Sequence, residues 1–110
     1  MDGTAVIWTD GPVRAEVVAL GRNYRINHLT VEPGGVLDDE LHRHRTEQFV
    51  ILSGQARITR GAATIMVPEE ASVFVPVGVS RRVENAGRGT LSLLQVQVGA
   101  LSEEDDTEGA

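Results

Sequence analysis

No stretch of these 110 residues carries an apolar period of 3.6 without a glycine or proline interrupting it, so a long amphipathic helix is not available to the chain. What recurs instead is a short apolar run with a period of two, closed by turn residues. Ala15–Leu20 and Tyr24–Val31 are followed by a strong turn at Glu32-Pro33-Gly34-Gly35. Gln55–Arg60 sets Ala56 and Ile58 on one face, and Gly61 turns the chain into residues 62–67 as a hairpin. Pro68-Glu69-Glu70 ends that hairpin. Val73, Val75, Val77 and Val79 then alternate with Phe74, Pro76, Gly78 and Ser80, where the proline and glycine predict a bend or a sheet edge. Arg81–Asn85 is closed by Asn85-Ala86-Gly87-Arg88-Gly89. In Leu91–Val98, Leu94, Val96 and Val98 lie opposite Gln95 and Gln97. Many short strands at regular spacing predict an all-β sandwich or barrel.

Aromatic residues make up only 4% of the chain, so the core must be built from Val, Leu, Ile and Ala. Trp8 and Phe74 read as core or interface residues. Trp8 is expected to tie the N-terminal arm onto the barrel or onto a partner subunit. There is no cysteine, which excludes a disulfide framework and thiol chemistry and suits a reducing compartment. The N-terminus has no basic segment followed by an apolar run, and no apolar stretch approaches membrane-spanning length, so a cytoplasmic location is expected. Five of the acids behind the net charge of −6 fall within residues 102–110, leaving a nearly neutral body. Neither part attracts nucleic acid or anionic lipid through net charge. The acidic tail is expected to be solvated and mobile.

The chemistry-bearing residues concentrate in Glu40-Leu-His-Arg-His-Arg-Thr-Glu47. On an extended strand Glu40, His42 and His44 lie in one row, and Arg43 and Arg45 point the other way. If the chain folds back between His44 and Glu47, two imidazoles and a carboxylate converge. That set can hold a divalent Zn, Mn, Fe or Ni ion with positions open to substrate. His28 is either an ordinary strand histidine or a further ligand. Arg81 and Arg82 are either surface charges or, for Arg81, an inward partner of Glu47 or of a phosphate.

His-x-His, then Glu47, then six residues and Gly54 within an all-β chain resembles the first motif of the cupins. More narrowly, the chain resembles the cupin domain at the C-terminus of type II mannose-6-phosphate isomerases, often fused to mannose-1-phosphate guanylyltransferase. The matching pieces are Gly21 and Tyr24, Val31-Glu-Pro-Gly34, His42-Arg-His-Arg-Thr-Glu47 with Val50 and Ser53-Gly54, Val75-Pro-Val-Gly78, Arg82 with Glu84-Asn85, Gly87, Val96-Gln-Val-Gly99 and Leu101-Ser-Glu-Glu-Asp-Asp106. The resemblance implies a jelly-roll barrel over residues 1–101, with an arm at 1–14 and a flexible acidic tail at 102–110. It implies metal ligation by His42, His44 and Glu47, with Glu40 where the family often shows Gln. It also implies a sugar-phosphate ligand and interconversion of mannose 6-phosphate and fructose 6-phosphate, with Glu47 and Arg81 as candidate catalytic residues. A homodimer is expected. No Gly-rich phosphate loop is present, so nucleotidyl transfer is not expected.

The chain departs from the family at two places. Three residues after Gly78, where the second cupin motif supplies a metal-binding His, stands Arg81, which cannot ligate a cation. Asn27-His28 stands where the family tends to show Lys-Arg. Two alternatives therefore stand beside the isomerase: a His₂-carboxylate Fe(II) oxygenase, which needs only three ligands, and a degenerate cupin that binds a small molecule without catalysis.

Overall fold

The computed structural model describes residues 7–101 and 107–109, and their regular structure is strand throughout. None of it is a helix long and apolar enough to cross a membrane. The first four strands are β1 (Ile7–Asp10), β2 (Val13–Leu20), β3 (Tyr24–Val31) and β4 (Val36–His42). Next come β5 (Arg45–Ser53), β6 (Ala56–Arg60), β7 (Ala63–Val67) and β8 (Ser72–Val75), then β9 (Arg81–Asn85), β10 (Leu91–Gly99) and β11 (Thr107–Gly109). They pair antiparallel into a six-stranded sheet, β1-β2-β3-β10-β5-β8, and a five-stranded sheet, β11-β4-β9-β6-β7.

The inner face of the larger sheet explains where the core ends and a site begins. Side chains directly opposite one another on neighbouring strands form rows across it. Two rows are wholly apolar: Val13, Val31 and Leu91, then Ala15, Leu29, Leu93 and Ile51. All are buried, and with Ile58, Val67 and Val83 of the smaller sheet they make the core. Full burial of a side chain such as Leu29 or Ile51 contributes about 1.5–3 kcal/mol. The next two rows change character, to Asn27, Gln95, Phe49 and Val73, then Arg25, Gln97, Glu47 and Val75. One end of the barrel is therefore packed with aliphatic side chains and the other is lined with polar ones.

The alternation of β10 is as expected, and the fold decides which set faces inward at that polar end. Gln95 and Gln97 are the buried residues, and Leu94, Val96 and Val98 face outward. The alternating run at 73–75 is an edge strand, as Pro76 requires, with Val73 and Val75 buried. Phe74 is 47% exposed, so it does not enter the core; its backbone oxygen on the open edge accepts a 2.9 Å hydrogen bond from Arg60 Nη1. Within the N-terminal residues, β1 and the start of β2 form a hairpin that extends the larger sheet. In the tail, the backbone of 107–109 pairs with the edge of β4. Residues 1–6, 102–106 and 110 lie outside the described residues.

The two ends of the polar region meet where β10 finishes. Gly99 has φ of +127°, and a Cβ there would stand 2.3 Å from the His44 carbonyl oxygen and 2.8 Å from Arg45 Cα. Gly34 also has positive φ (+83°) but open space around it. Gly34→Ala should therefore cost only the backbone penalty, about 1 kcal/mol. Gly99→Ala adds a steric clash with β5 and should cost at least about 2 kcal/mol. Denaturant unfolding of the two variants measures the difference; equal losses would contradict this packing.

Candidate functional site

The motif at residues 40–47 is not one continuous strand. β4 ends at His42, Arg43 and His44 form a bend, and β5 begins at Arg45. Hydrogen bonds from Gly78 N to the His42 oxygen (2.7 Å) and from Ala100 N to the His44 oxygen (2.9 Å) fix the two sides of the bend. A bend resets a two-residue alternation, because facing is preserved only while the backbone stays extended. His42 is consequently buried and His44 exposed, and Arg45, expected to point away, is 2% exposed and lines the interior. The expected convergence of both imidazoles with Glu47 is corrected: only His42 reaches it.

A β-bulge brings in the opposing residues. Leu37 lies opposite Val83 and Glu40 opposite Arg81, so three steps on β4 match two on β9. Without the extra residue Leu37 and Glu40 would face opposite sides. With it, Glu40 stands beside Arg81 while Asp38 and Asp39 occupy the bulge. Arg81 points into the barrel, and Arg82, one residue on, pairs outside with Glu84 at 3.2 Å.

Arg81 is the hub. Its Nε donates to Glu47 Oε1 at 2.8 Å, Nη1 to the Asp38 backbone oxygen at 2.6 Å and Nη2 to Glu40 Oε1 at 2.6 Å. Its guanidinium carbon lies 5.6 Å from the centre of the Phe49 ring, within cation–π range. Glu47, 1% exposed, also accepts at Oε2 from Gln95 Nε2 (2.8 Å) and Gln97 Nε2 (3.0 Å). His42 Nε2 is 3.5 Å from Glu47 Oε2 and 3.7 Å from Glu40 Oε1. Burial alone would raise the Glu47 carboxyl, but His42 and the Arg81 guanidinium outweigh it and hold it far below its ordinary value of 4.5. The Arg81 contact is the stronger of the two, since 3.5 Å is long for a hydrogen bond. Burial likewise opposes the charge on Arg81, and Glu47 and Glu40 together push its pKa up instead.

These residues do not fit a divalent cation as they stand. Oxygen ligands need to approach a metal such as zinc at about 2.0–2.2 Å. Here Glu47 Oε1 and Glu40 Oε1 are already engaged by a guanidinium lying between them, and His44 is on the outer side of the bend. Among the described residues no three His, Asp or Glu side chains are grouped closely enough to hold a metal ion. His28 faces outward on β3, 2.7 Å from Ser92 Oγ, and cannot substitute for the missing ligand.

Beside Arg81 opens a polar cavity of about 520 Å³. The larger sheet contributes Arg25, Asn27, Arg45, Gln95 and Gln97; the bulge of β4 contributes Asp38 and Asp39. Trp8, 44% exposed, belongs to this lining and not to the core. Sequence reasoning passed over Arg25, Asn27, Arg45 and the two glutamines. For the glutamines the signal was present, as polar residues alternating with aliphatic ones, but nothing in the order of residues said which face was inside.

Comparison with known proteins agrees with this architecture. Residues 10–109 match the family described as mannose-6-phosphate isomerase C-terminal. Mannose-1-phosphate guanylyltransferase RfbM of Salmonella typhimurium is 40% identical over 90 residues, which cover 82% of this chain and 19% of that protein. The xanthan biosynthesis protein XanB of Xanthomonas campestris is 36% identical over 89 residues, with 81% and 19% covered. The chain thus spans about one fifth of the length of these relatives. Among solved structures, the cupin domain of Schizosaccharomyces pombe Cnp3 superposes with a TM-score of 0.79 at 16% identity, covering 86% of this chain and 69% of that one. The jelly-roll barrel, the order of its motifs and these matches together make the chain a cupin of the mannose-6-phosphate isomerase C-terminal family.

Proposed function

We propose that this cupin holds a sugar, phosphorylated as the family's description suggests, in the cavity beside Arg81, without a divalent metal and without isomerising it. The observation that carries this reading is the Arg81 guanidinium lying between Glu40 and Glu47. A metal-dependent aldose–ketose isomerase of the mannose 6-phosphate type, or a His₂-carboxylate iron oxygenase, needs those carboxylates and a second imidazole open to a cation. An isomerase also needs a base whose pKa lies near the working pH. Glu47 is held well below that range, and Arg81 stays protonated. As a binding site the cavity is well furnished. Its volume lies within the usual range for small-molecule sites, Arg25 and Arg45 offer positive charge to a phosphoryl group, and Asp38 and Asp39 offer acceptors to hydroxyls. A cytoplasmic location suits a chain with no cysteine.

A second observation supports a homodimer. The outward positions of β3, β10, β5 and β8 include Tyr24, Ile26, Leu94, Val96, Val98, Val50, Leu52 and Phe74, and no Asp, Glu, Lys or Arg. Across these four strands at ~4.8 Å and seven residues at ~3.3 Å, this face has a flat footprint on the order of 440 Å². That is about half of the roughly 800 Å² per partner of an ordinary interface, and the hairpin β1-β2 continues the sheet beside it. An uncharged face of this size is complementary to itself, so the occupant proposed is a second copy of this chain.

Three measurements test these readings. Untagged protein should purify with far less than one equivalent of metal and bind mannose 6-phosphate in calorimetry, and a coupled assay should give no fructose 6-phosphate with added Mn²⁺, Fe²⁺, Ni²⁺ or Zn²⁺. One tightly held metal per chain, lost in His42→Ala, would overturn the metal-free reading. Glu47→Gln should cost about 3 kcal/mol at neutral pH, because it leaves Arg81 buried with less countercharge. A depressed pKa gives stability that is complete above the unfolded carboxyl's value and lost as pH falls below it. The gap between wild type and variant should therefore be flat above about pH 5 and close below pH 4.5; a gap that persists into acid contradicts the ionised carboxylate. Light scattering should find wild type dimeric and Val96→Arg monomeric with its fold intact, and a monomeric wild type excludes the proposed interface.

A further inference from the structure

The carboxylate of Glu47 dictates the orientation of every amide in the polar rows. An ionised carboxylate only accepts hydrogen bonds, so Gln95 and Gln97 must both turn their nitrogens toward Glu47 Oε2, at 2.8 and 3.0 Å. Their oxygens consequently face away. Gln97 Oε1 accepts from Arg25 Nε (3.1 Å) and Nη2 (2.8 Å), so its acceptor is satisfied. Gln95 Oε1 accepts from Asn27 Nδ2 at 2.9 Å. The Asn27 amide is thereby pinned as well, and it cannot flip without setting two oxygens against each other. Its own Oδ1 is left over. Asn27 is only 4% exposed, lies on the cavity wall, and Oδ1 has no hydrogen-bond partner among the described residues.

We infer that Asn27 Oδ1 is the specificity-determining acceptor for one hydroxyl of the bound sugar, its polarity set at a distance by Glu47 through Gln95. This rests on the cavity being a sugar site. A buried amide oxygen without a donor is unfavourable, and a ligand hydroxyl at this point removes that penalty, whereas an ether, a methyl or a missing hydroxyl does not. The acceptor cannot become a donor, because His42 and the Arg81 guanidinium keep Glu47 ionised and the relay from Glu47 through Gln95 runs in one direction. The site therefore selects ligands by a hydrogen-bond donor at one position, independently of any contact to a phosphoryl group.

The test is calorimetric titration of the full chain with mannose 6-phosphate, unphosphorylated mannose, and the set of mono-deoxy and mono-O-methyl mannose 6-phosphates. One hydroxyl position should stand out, its deoxy and O-methyl forms binding at least about tenfold more weakly than the parent. In Asn27→Leu, checked for folding by thermal melting, the parent should lose a similar factor and that same deoxy form should lose little more. A deoxy and methyl scan of wild type with no single sensitive position overturns the assignment even if the Leu variant fails to fold. Equal affinity of wild type and Asn27→Leu also overturns it while leaving the sugar-binding reading intact. If neither mannose nor any mannose 6-phosphate binds wild type, both fall together.

Discussion

A guanidinium buried between two carboxylates is the contact on which the polar half of this barrel depends. Taking ions out of water is costly, and the cost is offset only when geometry is close and the remaining donors and acceptors are matched. Arg81 meets that condition with all three nitrogens engaged and an aromatic ring beneath it. Glu47 meets it with Arg81 across both oxygens, closest at Oε1, and two glutamine amides on Oε2. The pair is thus part of a larger network, which gives direction to each side chain attached to it.

The barrel divides its labour along its length. At one end Val13, Ala15, Leu29, Val31, Leu91 and Leu93 bury aliphatic surface and carry the stability of the sandwich. At the other end the same strands β3, β5 and β10 turn Arg25, Asn27, Gln95, Gln97 and Glu47 inward and put Ile26, Leu94, Val96 and Val98 outside. This arrangement builds much of a polar cavity from the strands themselves. It also leaves Ile26, Leu94, Val96 and Val98 on the outer face of the sheet.

Membership of a family transfers a fold more securely than a chemistry. The matched relatives are several times longer than this chain, which spans about one fifth of RfbM. Within this barrel the permanent cation of Arg81 sets what the surrounding carboxylates do. They cease to be free ligands and become counter-ions. The same contact makes Glu47 a fixed acceptor toward the amides of Gln95 and Gln97.

The order of residues by itself determined that this would be an all-β barrel, where most of its strands and turns fall, and that the stretch from Glu40 to Glu47 and the arginine at 81 would matter. Those features are local: a two-residue period, turn residues and an arginine where a histidine belongs are legible without a third dimension. Which way the side chains face was decided only by the folded chain. The bend at Arg43-His44 sends His44 out and Arg45 in, and the bulge at Asp38-Asp39 turns Glu40 toward Arg81. The sheet's curvature around the core puts Gln95 and Gln97 inside. A strand's alternation fixes relative facing but not its absolute sense, and a single irregular residue reverses it, so the interior of the site belongs to the tertiary structure alone.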